Sequence, residues 1–152
     1  ERDSFYLATV SPTGWPYLQH RGGAPGFLRV LGPTRLGFAD YAGNRQLIST
    51  GHVATNDRVS LFLMDYPRRT RLKIIGHASV RDVAADPALA RSLAVAGERA
   101  RVERLFVIDV VSFDWNCPQH ITPRFTAAQI KESIAPLQAR IRELEARLAA
   151  RG

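Results

Sequence analysis

The sequence predicts a mainly β protein, a small closed or partly closed antiparallel barrel with helices outside it. Three observations carry this. Six or seven short segments rich in aromatic and β-branched residues are bounded by Gly, Pro, Asn and Asp clusters. Few connections leave room for a parallel crossover. Only two longer segments repeat at helical spacing. A chain of 152 residues, 45% of them hydrophobic, suits one barrel with a substantial core.

The elements follow in order. Phe5 to Val10 reads as a strand, and Ser11-Pro12-Thr13-Gly14 as its turn. Trp15 to Arg21 resumes in extended form, with Trp15, Tyr17, Gln19 and Arg21 on one face and Pro16, Leu18 and His20 on the other. Pro16 places this strand at an edge or at its own start. Phe27 to Leu31 and Arg35 to Asp40 are short strands around Gly32-Pro33. Gln46 to Ser49 is one or two helical turns after Gly43-Asn44. Val59 to Asp65 and Arg71 to Val80 form a hairpin about Pro67-Arg68-Arg69.

Asp86 to Ala96 is a helix with Pro87 at its first position. In the last long strand, Arg104 to Asp114, strict alternation puts Leu105, Val107, Asp109, Val111 and Phe113 opposite Phe106, Ile108, Val110 and Ser112. Both faces are mostly apolar, as expected of a strand covered on both sides. Thr126 and Gln129 have capping-box spacing. Beyond them Ile130, Ile134, Leu137, Ile141, Leu144 and Leu148 recur at spacings of four and three, with Pro136 expected to kink the helix. The expected division is a barrel over residues 1–125 and a C-terminal helix over 126–152, packed either on its own barrel or in a dimer.

Lys and Arg total 21 against 14 Asp and Glu, a net charge of +7. The spread positive charge favours an anionic ligand. The short run Arg68, Arg69, Arg71 and Lys73 is weak support for nucleic acid, although Arg71 and Lys73 share a strand face and could reach one phosphate. No apolar run reaches membrane-spanning length, so no membrane partner is expected. A single cysteine rules out an internal disulfide and points to a reducing, cytoplasmic setting.

Neither GxGxxG after a strand nor GxxxxGK[ST] occurs. Cys117 and His120 have ligand-like spacing, but His20, His52 and His77 fall on separate elements, so no metal site is expected. Cys117 has no base beside it in the sequence and reads as a small hydrophobe. The stretch LGFADYAGNRQ, Leu36 to Gln46, is more informative. A helical turn starting near Asn44 would offer free N–H groups to a phosphate, and Arg45 a charge-assisted pair. An ordinary strand-to-helix corner with a surface arginine fits the same residues.

Several segments, in order from Phe5 to Phe125, resemble the pyridoxamine 5'-phosphate oxidase-like proteins, the FMN-binding split barrels. These are FYLATVSPTGWPYLQHR with its Gly-x-Pro at Gly14 and Pro16, TRLGFADYAGNRQLIS, NDRVSLFLMD and RLKIIGHASV. The resemblance implies an antiparallel, Greek-key-like split barrel. It implies a homodimer holding two FMN molecules in its interface and acting on a small-molecule substrate. Gln19, His20 and Arg21 then match the strand beside the flavin. Phe38, Ala39, Asp40 and Tyr41 match the strand end framing the ring. Asn44, Arg45 and Gln46 match the Ser-Arg-Lys-like triplet that holds the phosphate. Gln46 replaces the triplet's lysine; Arg21, Arg29 or Lys73 are candidates to restore that charge. Trp115, Asn116, Gln119 and His120 match the segment that approaches the partner's flavin, although Trp115 closing the barrel end as a core residue is the other reading. No arginine–histidine pair for a second phosphate follows Trp115, beyond Arg124, which argues against the vitamin-pathway oxidase itself. The implied activity is transfer of hydride or electrons between a nicotinamide or small organic substrate and FMN. The alternatives are a non-catalytic flavin or haem carrier and a deazaflavin-dependent reductase.

Overall fold

Turn chemistry sets the first pairing. Strand β1 (Ser4–Val10) and β2 (Pro16–Gly22) pair from Ser4↔Gly22 to Val10↔Pro16. The turn between them depends on Gly14, whose φ of 87° is open to glycine and strained for other residues. The computed structural model describes residues 1–43, 47–95, 97, 101–115 and 118–150. Asn44, Arg45, Gln46, Asn116 and Cys117 therefore lie outside the described residues.

The remaining elements are β3 (Arg29–Gly32), β4 (Arg35–Tyr41), α1 (Ile48–Thr55), β5 (Arg58–Asp65), β6 (Thr70–Asp82), α2 (Pro87–Leu93), β7 (Val102–Trp115) and α3 (Ala127–Ala149). The strands form one seven-stranded sheet in the order β2-β1-β5-β6-β7-β4-β3, and every pairing is antiparallel. The sheet curls strongly. β1 and β4 are four strand spacings apart, about 19 Å in a flat sheet, yet the rings of Phe5 and Phe38 lie 5.3 Å apart. Phe27 stacks on Phe5 and Phe106 on Phe38, and with Leu7, Leu61, Ile74, Ala78 and Ile108 they fill the interior. This is the mainly antiparallel split barrel with flanking helices that the sequence predicts, with β2 and β3 as its two edges.

A second cluster covers the outside of β4 and β7. Asp86 caps α2 by accepting the Leu89 N–H at 3.0 Å, and α2 lays Leu93 against Ala39 and Leu105. Leu105, Phe106, Val107 and Ile108 are consequently all buried, the two-sided covering expected of this strand.

The structure corrects two expectations. The helix after Gly43 spans Ile48–Thr55, more than a turn and a half beyond Ser49, because Val53 is drawn into the barrel core. The strict alternation of the last strand also fails. Its register with β6 shifts by one residue between Gly76↔Val110 and Ile75↔Ser112. A one-residue bulge reverses the facing of everything after it. Phe113 and Trp115, paired with Ile74 and Leu72, thus share the face of Ile108 rather than that of Val107. Gly76 is required there, since a Cβ would run into the backbone carbonyl of Asp109.

Candidate functional site

The period-2 alternation of β2 places Tyr17, Gln19 and Arg21 half-buried on one face and Leu18 and His20 exposed on the other. Each half-buried residue meets a different element. Tyr17 packs edge-on to His52 of α1, with ring centroids 5.7 Å apart. Gln19 accepts the Ser49 hydroxyl at 2.7 Å, in the first turn of α1. His52 in turn shares a 3.0 Å hydrogen bond with the buried Thr9 of β1. Arg21 donates to Asp40 of β4 at 2.6 Å, and Asp40 also accepts from Arg104 of β7 at 3.0 Å. The Arg21 guanidinium lies 5.6 Å from the Phe38 ring centroid and 5.2 Å from that of Phe106. Its Nε is buried without a hydrogen-bond partner.

Gln19, Arg21 and Asp40 are therefore brought together, with Gln19 against the start of α1. That helix starts at Leu47, whose φ of 55° is left-handed and whose side chain makes no cap hydrogen bond. Among the described residues no side chain caps its first turn, and first-turn amides are the groups that donate to a phosphate. Asn44, Arg45 and Gln46 stand immediately before this corner in the chain.

Other expected site residues are placed differently. Phe38 and Ala39 are buried in the two cores. The Tyr41 hydroxyl accepts the Val95 N–H at 3.1 Å. His20 and Lys73 share a row on the outside of the sheet, His20↔Tyr6↔Phe62↔Lys73↔Asp114, where Lys73 pairs with Asp114 at 2.8 Å. Trp115 is 63% exposed and so is no core residue. With Phe113, Leu72, Val30 and Pro33 it lines an open groove of about 520 Å³. Gln119 and His120 are exposed beyond it, with His120 at φ 60°. Arg124 lies over the Tyr66 ring at 5.1 Å.

The outside of the sheet carries a further open groove of about 390 Å³, lined by Ala8, Val10, Pro16, Ile75 and Val111 and flanked by Arg58 and His77. Leu18, Ile75 and Val111 are exposed on this part of the surface. Among the described residues no group of three or more His, Cys, Asp or Glu side chains is placed to hold a metal. Among them, too, no helix is long and apolar enough to cross a membrane.

The sequence reading missed Thr9, Ser49, His52 and Arg104. Ser49 and His52 are three apart, the spacing of neighbours on one helix face, but a helix expected to end at Ser49 does not include both.

A family model described as pyridoxamine 5'-phosphate oxidase matches residues 1–114. Among solved structures, a putative pyridoxamine 5'-phosphate oxidase from Lactobacillus delbrueckii is 20% identical with a TM-score of 0.54, over 74% of this chain and 84% of that one. An FMN-binding protein from Syntrophomonas wolfei is 11% identical with a TM-score of 0.55, over 76% and 78%. An F420 reductase is 16% identical with a TM-score of 0.51, over 73% and 88%. At these identities the likeness is one of fold. No curated protein matches the chain.

Proposed function

Since the chain belongs to the pyridoxamine 5'-phosphate oxidase family, we propose that it is a homodimeric flavoprotein that binds two FMN molecules at its interface. In this reading it transfers hydride or electrons between flavin and a nicotinamide or small organic substrate. The observation that carries the reading is the Gln19–Ser49 bond. It holds the strand expected beside the flavin against a helix start at which, among the described residues, no side chain caps the amides. That donor set suits a phosphate, and Arg45, directly upstream, would add a charge-assisted pair.

The flavin, when bound, supplies the redox chemistry. The chain's residues hold and orient it. The first-turn amides of α1 and Arg45 anchor the phosphate. Trp115 offers a flat apolar surface, and Asn116, Gln119 and His120 offer hydrogen-bonding groups at the ring edge. Lys73 and His20, on the outer row, fit a role at the face where Leu18, Ile75 and Val111 await cover. A second copy of the barrel on that face would remove this apolar surface from water. Pro118 and Pro123 stiffen the segment after β7 and lower its ordering cost.

Arg45→Ala should weaken FMN binding by about 2 kcal/mol, roughly thirty-fold, and leave riboflavin binding nearly unchanged. Titration of both ligands into both proteins reads this out. An unchanged FMN-to-riboflavin affinity ratio would remove the assigned role. Reduction of the bound flavin by a nicotinamide donor, compared with free flavin, tests turnover. No acceleration would make the protein a flavin carrier. The F420 reductase sharing this fold, with Gln46 in the place of the triplet's lysine, supports a second reading in which the cofactor is a deazaflavin. Tighter binding of the deazaflavin than of FMN would favour it, and tight haem binding would favour the haem-carrier alternative.

A further inference from the structure

Helix α3 begins on its own terms. Thr126 accepts the Gln129 N–H at 3.2 Å, and the Gln129 side chain accepts the Thr126 N–H at 2.9 Å. It then runs for 23 residues, Ala127–Ala149, without burying any of them. At 1.5 Å per residue it is about 34 Å long. In proteins most helical stability comes from packing an amphipathic face, yet Ile130, Ile134, Leu137, Ile141, Leu144 and Leu148 all stand exposed along it.

We propose that α3 pairs in parallel with α3 of a second copy of this chain, as a short two-stranded coiled coil. The heptad register places Ile134, Ile141 and Leu148 at a, and Ile130, Leu137 and Leu144 at d. Isoleucine at a with leucine at d over the central layers is the arrangement that favours two parallel strands. In that register Arg140 is at g and faces Glu145 at e of the second copy, twice by symmetry. Among the described residues Glu145 takes part in no ion pair within the chain. An antiparallel pairing that keeps all six layers would set Lys131 against Glu145, but it also sets Arg140 against Arg140 of the second copy. Pro136 falls at c, on the outward side, where its ring stays clear of the seam. The parallel arrangement also brings both N-termini, and so both barrels, to the same end.

The test uses the full chain carrying Cys117→Ser and Leu144→Cys, oxidised mildly with and without FMN. A parallel pair brings the two introduced thiols face to face at d. The expected result is a thiol-reversible covalent dimer as the main species, equally with and without FMN, so that failure of the flavin reading leaves this outcome untouched. An antiparallel pair places Leu144 opposite Ile134 instead. Cross-linking only in a mixture of the Ile134→Cys and Leu144→Cys chains would overturn the proposal. So would no cross-linking in any combination. In the Cys117→Ser, Leu144→Cys chain, adding Arg140→Glu should lower the cross-linked fraction, and adding Arg140→Glu with Glu145→Arg should restore it. A charge-swapped pair no better than Arg140→Glu alone would also overturn the parallel register.

Discussion

Phe38→Ala is expected to lower the unfolding free energy by about 4 kcal/mol, the range for a buried phenylalanine. The ring is 1% exposed and contacts Phe5 at 5.3 Å, Phe27 at 6.4 Å and Phe106 at 4.8 Å. These contacts join strands from opposite ends of the sheet order. The cavity left behind therefore lies where the sheet curls back on itself, and rigid strands on all sides limit its collapse. Urea unfolding at fixed protein concentration gives the number directly. Phe38 also belongs to the segment that the family resemblance sets around the flavin. Its burial implies that any such role runs through the backbone. A loss under about 1 kcal/mol, with FMN affinity falling sharply, would show that the ring serves the cofactor instead.

Asp40→Ala is expected to cost about 3 kcal/mol. Its carboxylate lies between Arg21 and Arg104, and the side chains of Asp40, Arg21 and Arg104 are only 13%, 14% and 19% exposed. Removing it leaves the poorly hydrated Arg21 guanidinium without a counter-charge and Arg104 with Glu103 alone, at 3.0 Å, and the penalty of the unpaired charge exceeds the net worth of the pairs. Asp40→Asn keeps an acceptor and removes the charge, so it should fall between wild type and alanine. The check is the urea midpoint at constant m-value. A variant within 1 kcal/mol of wild type would mean that water reaches the cluster well enough to screen it.

How far the sequence could be read depended on the range of the physics involved. Local signals were reliable: Asp86 and Pro87 at the start of α2, Thr126 with Gln129 at the start of α3, and the alternation of β2. The count of short strand segments gave an antiparallel barrel, and the family likeness made it a split barrel. The bulge in β7 was invisible, because Val110, Val111 and Ser112 alternate acceptably without it. Only the register against β6, with Gly76 opposite, reveals that Phe113 and Trp115 have changed sides. Helix α1 outruns its sequence signal because glycine and β-branched residues in ISTGHVAT have low helix propensity. Tertiary packing of Val53 supplies what local propensity lacks. The Arg21–Asp40–Arg104 cluster joins three strands and needs the curled sheet to exist at all. Spacing along the chain could name its members and could not bring them together.

The position of β2 has a consequence for local opening. As an edge strand it has ladder hydrogen bonds to β1 alone. Its other ties are side chains: Gln19 to Ser49, Tyr17 to His52, and Arg21 to Asp40. Opening β2 therefore loosens α1, and the two behave as one cooperative unit of low stability. Their amides should exchange with solvent together, ahead of those in β5, β6 and β7, when the protein is followed by hydrogen–deuterium exchange. A ligand whose phosphate rests on the start of α1 would then slow exchange along β2 as well, at amides it never touches.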